Sequence, residues 1–413
     1  MLIELKGWKK LTNNKTSREL NNKLIKLKKD INKSSNEFSF LRSDNNKEIF
    51  SFLKQYKNKF KKIDRFLLLG TGGSSLGAKA IVSLYDERKI TFIENLDPST
   101  LKKFFKKNKK NNLGLLIISK SGETLEVLCL FDILINSFKN SFDLINNTLI
   151  ISDKKNSTLR KLANKYSIDV LDHDETIGGR FSCFSLTGLL PMYLAGINSI
   201  KLKELVDKSF KKDLLIKNNI NSIFITAVSQ IIKKKAITGH IFLVYSDSLM
   251  NVGNWYKQLW NESLGKNGLG LYLISALGAV DQHSQLQMWL DGPKNLIFTI
   301  VIPKKRAYDF KVKNKKNILP AYLNNKRMGN LLNIMAESTA AELRKAGAYV
   351  RIIYIEDDKE VSVIKLMTSF MLEVSLIGNL IGINPFDQPA VEKVKFRIKK
   401  NLKQNARNKI ITT

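Results

Sequence analysis

Short apolar runs recur along this chain, and each ends in a turn that leads into a segment of helical spacing. Phe66–Leu69 stops at Gly70-Thr71-Gly72-Gly73-Ser74, and a helix pattern follows over Leu76–Leu84. Ile90–Glu94 precedes Asp97-Pro98, an N-cap with proline at the first helical position, and a helix over Ser99–Lys107. Leu115–Ile118 breaks at Ser119 and leads into helical spacing over Glu123–Ser137. Thr148–Ser152 leads to a helix over Thr158–Tyr166 and a short strand near Val170. Short runs that are apolar throughout mark parallel strands buried on both faces. Strands that alternate with helices predict a doubly wound parallel sheet.

Gly178–Leu190 reads as a loop entering a helix and connecting two halves. Helices are expected around Lys203–Ile216 and Asn221–Ala236, and then the alternation restarts. Ile241–Tyr245, Leu271–Ser275, Leu296–Ile302 and Tyr349–Ile355 read as strands. Leu249–Leu264, Arg327–Lys345 and Glu360–Ile381 read as helices. Before this α/β region come two helices, over Thr16–Lys33 and about Lys47–Lys62, the first with Thr16 and Glu19 as a capping box. After it comes a proline-bearing turn at Asn384-Pro385 and a basic helix. The expected fold class is α/β, two doubly wound parallel-sheet halves with helical arms. The expected divisions are 1–62, 63–200, 201–383 and 384–413.

Composition narrows the function. At 413 residues and 43% hydrophobic content the chain buries a large core without disulfides. Its two cysteines, Cys129 and Cys183, form no CxxC or Cys/His cluster, so a structural zinc is not expected and a reducing compartment is. The sequence shows no apolar run approaching the ~20 residues of a membrane span and no signal-peptide pattern at its start. A soluble cytoplasmic protein with no membrane partner is expected. The net charge is +32, from 69 Lys and Arg against 37 Asp and Glu. The lysines are scattered, and aromatics do not interleave with them as on a stacking platform for nucleic acid. No nucleic-acid partner is expected, although the field draws in anionic substrates.

Several segments carry chemistry. In GLLIISKSGETLE, Gly114–Glu126, a strand breaks into hydroxyls and backbone N–H groups at a positive helix end. That suits a phosphate monoester, and it also suits a capped turn with surface hydroxyls. GTGGSSLG, Gly70–Gly77, either permits close approach of a ligand or is a plain glycine turn, and it lacks the GxGxxG and Walker patterns, which disfavours nucleotides. Gly178-Gly179-Arg180-Phe181-Ser182 offers a guanidinium that either clamps an anion or satisfies backbone carbonyls across a domain crossing. Gln258 and Glu262 lie at i and i+4 on one helix face among Leu259, Trp260 and Leu264. There Glu262 is either a general base with a raised pKa or an ordinary surface carboxylate. His173 and His240 read as structural, whereas His283, among Gln282, Ser284, Gln285 and Gln287, reads as a proton shuttle or a core histidine. NPFDQPAVEKVK, Asn384–Lys395, adds Gln388, Glu392 and Lys395.

Taken in order, GTGGSSLG, SKSGETLE, GGRFS, QLWNESLGK, DQHSQLQ with DGP, and NPFDQPAVEKVK resemble the signatures of the glucose-6-phosphate isomerase (phosphoglucose isomerase) family, from Gly70 to Lys395. The resemblance implies two SIS (sugar isomerase) subdomains, each a three-layer αβα sandwich, with a helical C-terminal arm. It implies interconversion of glucose 6-phosphate and fructose 6-phosphate, no metal or nucleotide cofactor, and a homodimer with shared active sites. By the same resemblance Ser119, Ser121 and Thr124, with the backbone at Lys120, form the phosphate cradle, and Gly73 and Ser74 the sugar-side loop. Arg180 stabilises the enediolate and Glu262 moves the proton between C2 and C1. Gln258 and Gln388 bind substrate, and His283 with Lys395 opens the ring, His283 coming from the partner subunit.

The last motif departs from the family, which usually has Leu-Gly before the lysine where this chain has Lys393-Val394. Lys395 and Lys393 therefore both stand as ring-opening candidates. Glu123 sets a carboxylate beside the expected phosphate, so it must turn away or cap a helix start. Three rivals remain: a non-catalytic SIS module that senses a sugar phosphate, an isomerase acting on mannose 6-phosphate, and a basic nucleic-acid binder. The first has no need of Glu262, His283 and Arg180 together.

Overall fold

The computed structural model describes residues 1–30, 38–85, 89–107, 112–138, 143–215, 220–313 and 318–411. In chain order the elements are β1 (Leu2–Glu4), α1 (Asn14–Asp30), α2 (Asn46–Lys59), β2 (Arg65–Leu69), α3 (Leu76–Val82), β3 (Ile90–Ile93), α4 (Pro98–Lys107), β4 (Leu113–Ile118) and α5 (Leu125–Phe138). There follow α6 (Leu144–Asn147), β5 (Thr148–Ser152), α7 (Thr158–Tyr166), β6 (Asp169–Asp172), α8 (Leu186–Leu194), α9 (Ser199–Leu215) and α10 (Ile220–Lys234). The remainder comprises β7 (Gly239–Val244), α11 (Met250–Leu264), β8 (Tyr272–Leu277), α12 (Gln282–Asp291), β9 (Leu296–Lys305), α13 (Met328–Lys345), β10 (Tyr349–Asp357), α14 (Glu360–Ile381) and α15 (Pro389–Ile411). Residues 31–33 and 216, expected at helix ends, lie outside the described residues.

The strands form two sheets, ordered β3-β2-β4-β5-β6 and β1-β10-β9-β7-β8. The first is parallel throughout, with Leu69 opposite Ile117 and Ile117 opposite Ile150. Its period-2 geometry explains the all-apolar strands. Leu67, Leu69, Leu115 and Ile117 point to the core under α4, α5 and α7, and Phe66, Leu68, Leu116 and Ile118 point to a core shared with the second half. In the second sheet the same division sends Phe242 and Val244 into the shared core and Ile241 and Leu243 under α13.

Three local expectations change. The N-terminal segment is not only helical: β1 pairs antiparallel with β10, Ile3 opposite Ile353, and extends the second sheet. The cap of α1 is Asn13, whose Oδ1 accepts from the Thr16 backbone N–H at 2.8 Å. Thr16 lies inside the helix, and its hydroxyl accepts from Gln230 at 2.6 Å. By length and composition α14 is apolar enough to cross a membrane, contrary to the expectation of no such run, but 83% of its most apolar window is buried within the fold. At Asp97-Pro98, by contrast, α4 begins as expected, with the Ser99 N–H donating to Asp97.

The arrangement positions a site. The chain leaves β2 toward β3 and leaves β4 toward β5, in opposite directions across the sheet. Between β2 and β4 lies a topological switch point, where an open α/β sheet has a crevice at its carboxyl edge. Both the Gly70–Gly77 turn and the Ser119–Thr124 turn open onto that edge.

Candidate active site

At the end of β4 the chain turns sharply on hydroxyl bonds. Ser119 Oγ and Thr124 Oγ1 share a hydrogen bond at 2.8 Å, and the Gly122 N–H donates to Ser119 Oγ at 3.2 Å. The Glu123 N–H donates to Ser121 Oγ at 3.2 Å. Gly122 is required here: its φ is +63°, and a Cβ would lie 2.1 Å from Ser157 Oγ. The Glu123 carboxylate turns to α7, accepting from the Thr158 N–H at 2.6 Å and the Thr158 hydroxyl at 2.9 Å. A negative charge at that helix start is favourable, and it leaves the hydroxyl turn itself free of a carboxylate.

The β2 turn packs on the arginine loop, backbone against backbone. A Cβ on Gly73 would lie 2.1 Å from the Gly179 carbonyl carbon and 2.6 Å from the Arg180 nitrogen. Ser74 closes that turn, its N–H donating to the Thr71 carbonyl at 3.2 Å. Gly72, at φ +57°, sits against the Gln258 amide, so the turn also meets α11.

Arg180 lies in a 3-10 turn over Gly179–Phe184 and is 2% exposed. Its fork is filled on several sides. Nε donates to Ser263 Oγ at 2.7 Å, Nη1 to Gln388 Oε1 at 2.9 Å, and Nη2 to the carbonyls of Pro385 at 2.5 Å and Asp387 at 2.9 Å. Burial lowers its pKa from the usual guanidinium value, with Glu262 and Asp387 opposing that shift, and the group stays cationic. Glu262 Oε2 lies 3.7 Å from Nη1, and Glu262 Oε1 accepts from Gln258 Nε2 at 3.1 Å. The Glu262 side chain is 34% exposed, so one face of a held carboxylate remains open. Gln258 Oε1 is buried with no hydrogen-bond partner among the described residues. Such an acceptor at the base of a crevice suits a ligand hydroxyl.

Ser263 and Lys266 were not singled out from sequence. Ser263 follows Glu262 directly and is the buried acceptor for Arg180. Lys266 pairs with Asp387 at 2.8 Å and donates to the Asn384 carbonyl, fastening the turn that offers Gln388 to Arg180. Both stand within the QLWNESLGK motif, which was the available signal. Gln388 itself precedes α15, which begins at Pro389.

Not every expected residue joins this cluster. His283 is exposed in the first turn of α12, and Lys395 on α15 is 57% exposed and paired with Glu392 at 2.7 Å. Lys393 is exposed on the same helix. The bonds that gather Arg180, Glu262, Gln258 and Gln388 do not extend to any of the three. His173 and His240 are buried, bonded to the Asp174 carbonyl at 2.8 Å and to Thr299 at 2.8 Å.

Known proteins resemble this chain along most of its length. The phosphoglucose isomerase family model matches residues 47–273. A probable glucose-6-phosphate isomerase of Methanococcus maripaludis is 30% identical over 386 residues, covering 90% of this chain and 85% of that one. A crystal structure of a Thermus thermophilus protein, described as hypothetical, superposes with a TM-score of 0.82 at 26% identity over 94% of both chains. A glucose-6-phosphate isomerase structure from Chlamydia trachomatis has a TM-score of 0.79 at 16% identity, over 95% of this chain and 87% of that one, and shows the shared fold. A family model that spans more than half of the sequence, and relatives that run nearly end to end with it, make this chain a member of the phosphoglucose isomerase family.

Proposed function

We infer that this chain interconverts glucose 6-phosphate and fructose 6-phosphate by ring opening and proton transfer through a cis-enediol. The observation that carries this reading is the contact of Arg180 with Glu262 at 3.7 Å, at the same sheet edge as a hydroxyl turn whose chemistry suits a phosphate. An aldose–ketose isomerisation needs a base at C2, a positive charge at the developing oxyanion, and a grip on the far end of the sugar.

In the proposed mechanism Ser119, Ser121, Thr124 and the Lys120 backbone hold the phosphate, and Gly73 and Ser74 line the sugar. Gln258 and Gln388 hold hydroxyls. His283 and Lys395, or Lys393 in its stead, move a proton from the hemiacetal hydroxyl to the ring oxygen. Glu262 then takes the proton from C2, and the electron pair of that bond moves onto the carbonyl to give the enediolate. Arg180, already held by four oxygens, meets that charge without reorganising. Glu262 returns its proton to C1, the hydroxyl proton shifts between O2 and O1, and the ketose forms. Binding energy at the remote phosphate is thereby used for alignment.

We propose a homodimer with shared sites, in which His283 reaches the centre of a neighbouring subunit. Two exposures support it: His283 stands off the cluster, and α15 carries Phe396, 73% exposed, and Val394, 59% exposed, on a helix that this subunit leaves uncovered. The proposed division is 1–62, 63–200, 201–383 and 384–413, with β1 crossing to the second sheet. Acting in the cytoplasm suits its two free cysteines. A coupled assay of fructose 6-phosphate conversion tests the activity. Turnover is expected with and without EDTA, and no turnover in either condition overturns the reading.

A further inference from the structure

Lys120 stands between Ser119 and Ser121 in the proposed phosphate turn, where only its backbone is assigned to the phosphate. Its side chain goes elsewhere. Nζ donates to the Glu175 carbonyl at 3.1 Å and to the Ile177 carbonyl at 2.9 Å. Those two carbonyls belong to the stretch after β6 that runs directly into Gly178-Gly179-Arg180. The main chain of Lys120 is pinned as well, its carbonyl accepting from the Asp153 N–H at 3.0 Å, at the end of β5. Burial lowers the pKa of the ammonium, and Asp153, Asp174 and Glu175 act to keep it charged. Beyond Ile177, the Gly179 backbone packs on Gly73 and Arg180 is fixed beside Glu262.

We propose that Lys120 is a positioning residue, a strap that fastens the phosphate turn to the arginine loop so that seating the phosphate fixes the guanidinium against Glu262. The proposal rests on the isomerase reading and adds to it how the two ends of the substrate are coupled. The phosphate itself is held by Ser119, Ser121, Thr124 and backbone N–H groups, none of which needs the ammonium. Loss of the strap lets the 175–180 segment drift, and small misplacements at a reacting centre cost rate rather than binding.

The test uses the full chain with Lys120→Met and Lys120→Arg. It measures kcat and KM for fructose 6-phosphate, inhibition by inorganic phosphate, and the melting temperature. Lys120→Met is expected to lower kcat by about 10-fold to 10²-fold, the scale of a misplaced reacting group. Its inhibition constant for phosphate should stay within about twofold of the parent's, since the cradle's N–H groups and hydroxyls are untouched. Lys120→Arg, which still donates to two carbonyls, should recover most of the loss. An unchanged kcat in Lys120→Met overturns the strap. So does a phosphate inhibition constant that weakens as much as kcat/KM falls, because the ammonium is then a direct ligand. If Lys120→Met does not melt cooperatively, Lys120→Gln carries the same comparison. An inactive parent enzyme would instead strike the isomerase reading.

Discussion

At the scale of single residues, the proposed function turns on the pairing of Arg180 with Glu262. Glu262→Gln keeps the shape and the Gln258 contact but removes the base. It is expected to lower kcat by at least about 10²-fold while phosphate-anchored inhibitors still bind. Unchanged turnover would remove Glu262 from the mechanism. His173 illustrates a different role. Burial, with the Lys120 charge adding to it, pushes its pKa down to about 4, so the 3.6 Å approach to Asp153 is a contact of a neutral ring. Above about pH 6.5 the ring is neutral in the folded and unfolded chain alike. As pH falls toward 4, the unfolded chain takes up a proton that the folded chain refuses, and stability is lost at up to about 1.4 kcal/mol per pH unit. Asp153, whose pKa burial raises, pulls in the opposite sense, so the informative quantity is a difference. Melting temperature between pH 7 and 5 should fall more steeply for the parent than for His173→Asn. Parallel curves would mean that His173 takes up its proton without strain. Much of this residue-level detail was legible in the motifs, because Glu262, Arg180 and Gln258 lie in short local patterns. The four acceptors of Arg180 were not, since Ser263, Pro385, Asp387 and Gln388 converge only through tertiary packing.

At the scale of elements, strands buried on both faces were readable because their apolar runs are continuous, and β2, β4 and β7 stop directly before glycine or shortly before serine. The 3-residue β1 was not, because so short a strand has no period, and it forms only where β10 offers an unpaired edge. The α12 helix was hidden by its polar composition: among its described side chains only Trp289 is buried. Neither omission touches the proposed phosphate turn, whose order strand–hydroxyls–helix is local. Its hydroxyls face two ways, with Ser119 and Thr124 bonded to one another and Ser121 exposed. Ser121→Ala with Thr124→Ala should therefore weaken inhibition by 6-phosphogluconate about tenfold or more, each lost charge-assisted bond contributing about 1.5–3 kcal/mol. The melting temperature should move by only a few degrees, since the double change leaves the sheet core intact. An unaltered inhibition constant would place the phosphate elsewhere.

At the scale of the whole molecule, the proposed mechanism leaves one subunit chemically incomplete. It gathers the proposed base Glu262, the Arg180 guanidinium and the proposed phosphate turn, and among the described residues no side-chain hydrogen bond or ion pair joins His283 or Lys395 to them. On α15 every described side chain from Pro389 to Gln404 is exposed, and among them Phe396 and Leu402 are apolar. A long helix with water on all sides gains no burial for such residues, whereas the proposed second copy would supply the missing surface. The net charge of +32 opposes that association at low ionic strength and favours entry of a doubly charged sugar phosphate. In the proposed two-fold pair the exchange is reciprocal, each subunit lending His283 to the other. Mixing tests this directly. Glu262→Gln and His283→Ala homodimers are each expected to be nearly inactive. When equal amounts are unfolded and refolded together, half of the pairs combine the two variants. Each such pair holds one site with an intact Glu262 and the partner's His283, and one site with neither. Activity should then recover to about one quarter of the parent's, as two-fold symmetry and random pairing require. No recovery in a mixture that demonstrably contains the mixed pair would mean that His283 serves its own subunit, and the shared-site assembly would fall while the role of Glu262 stood.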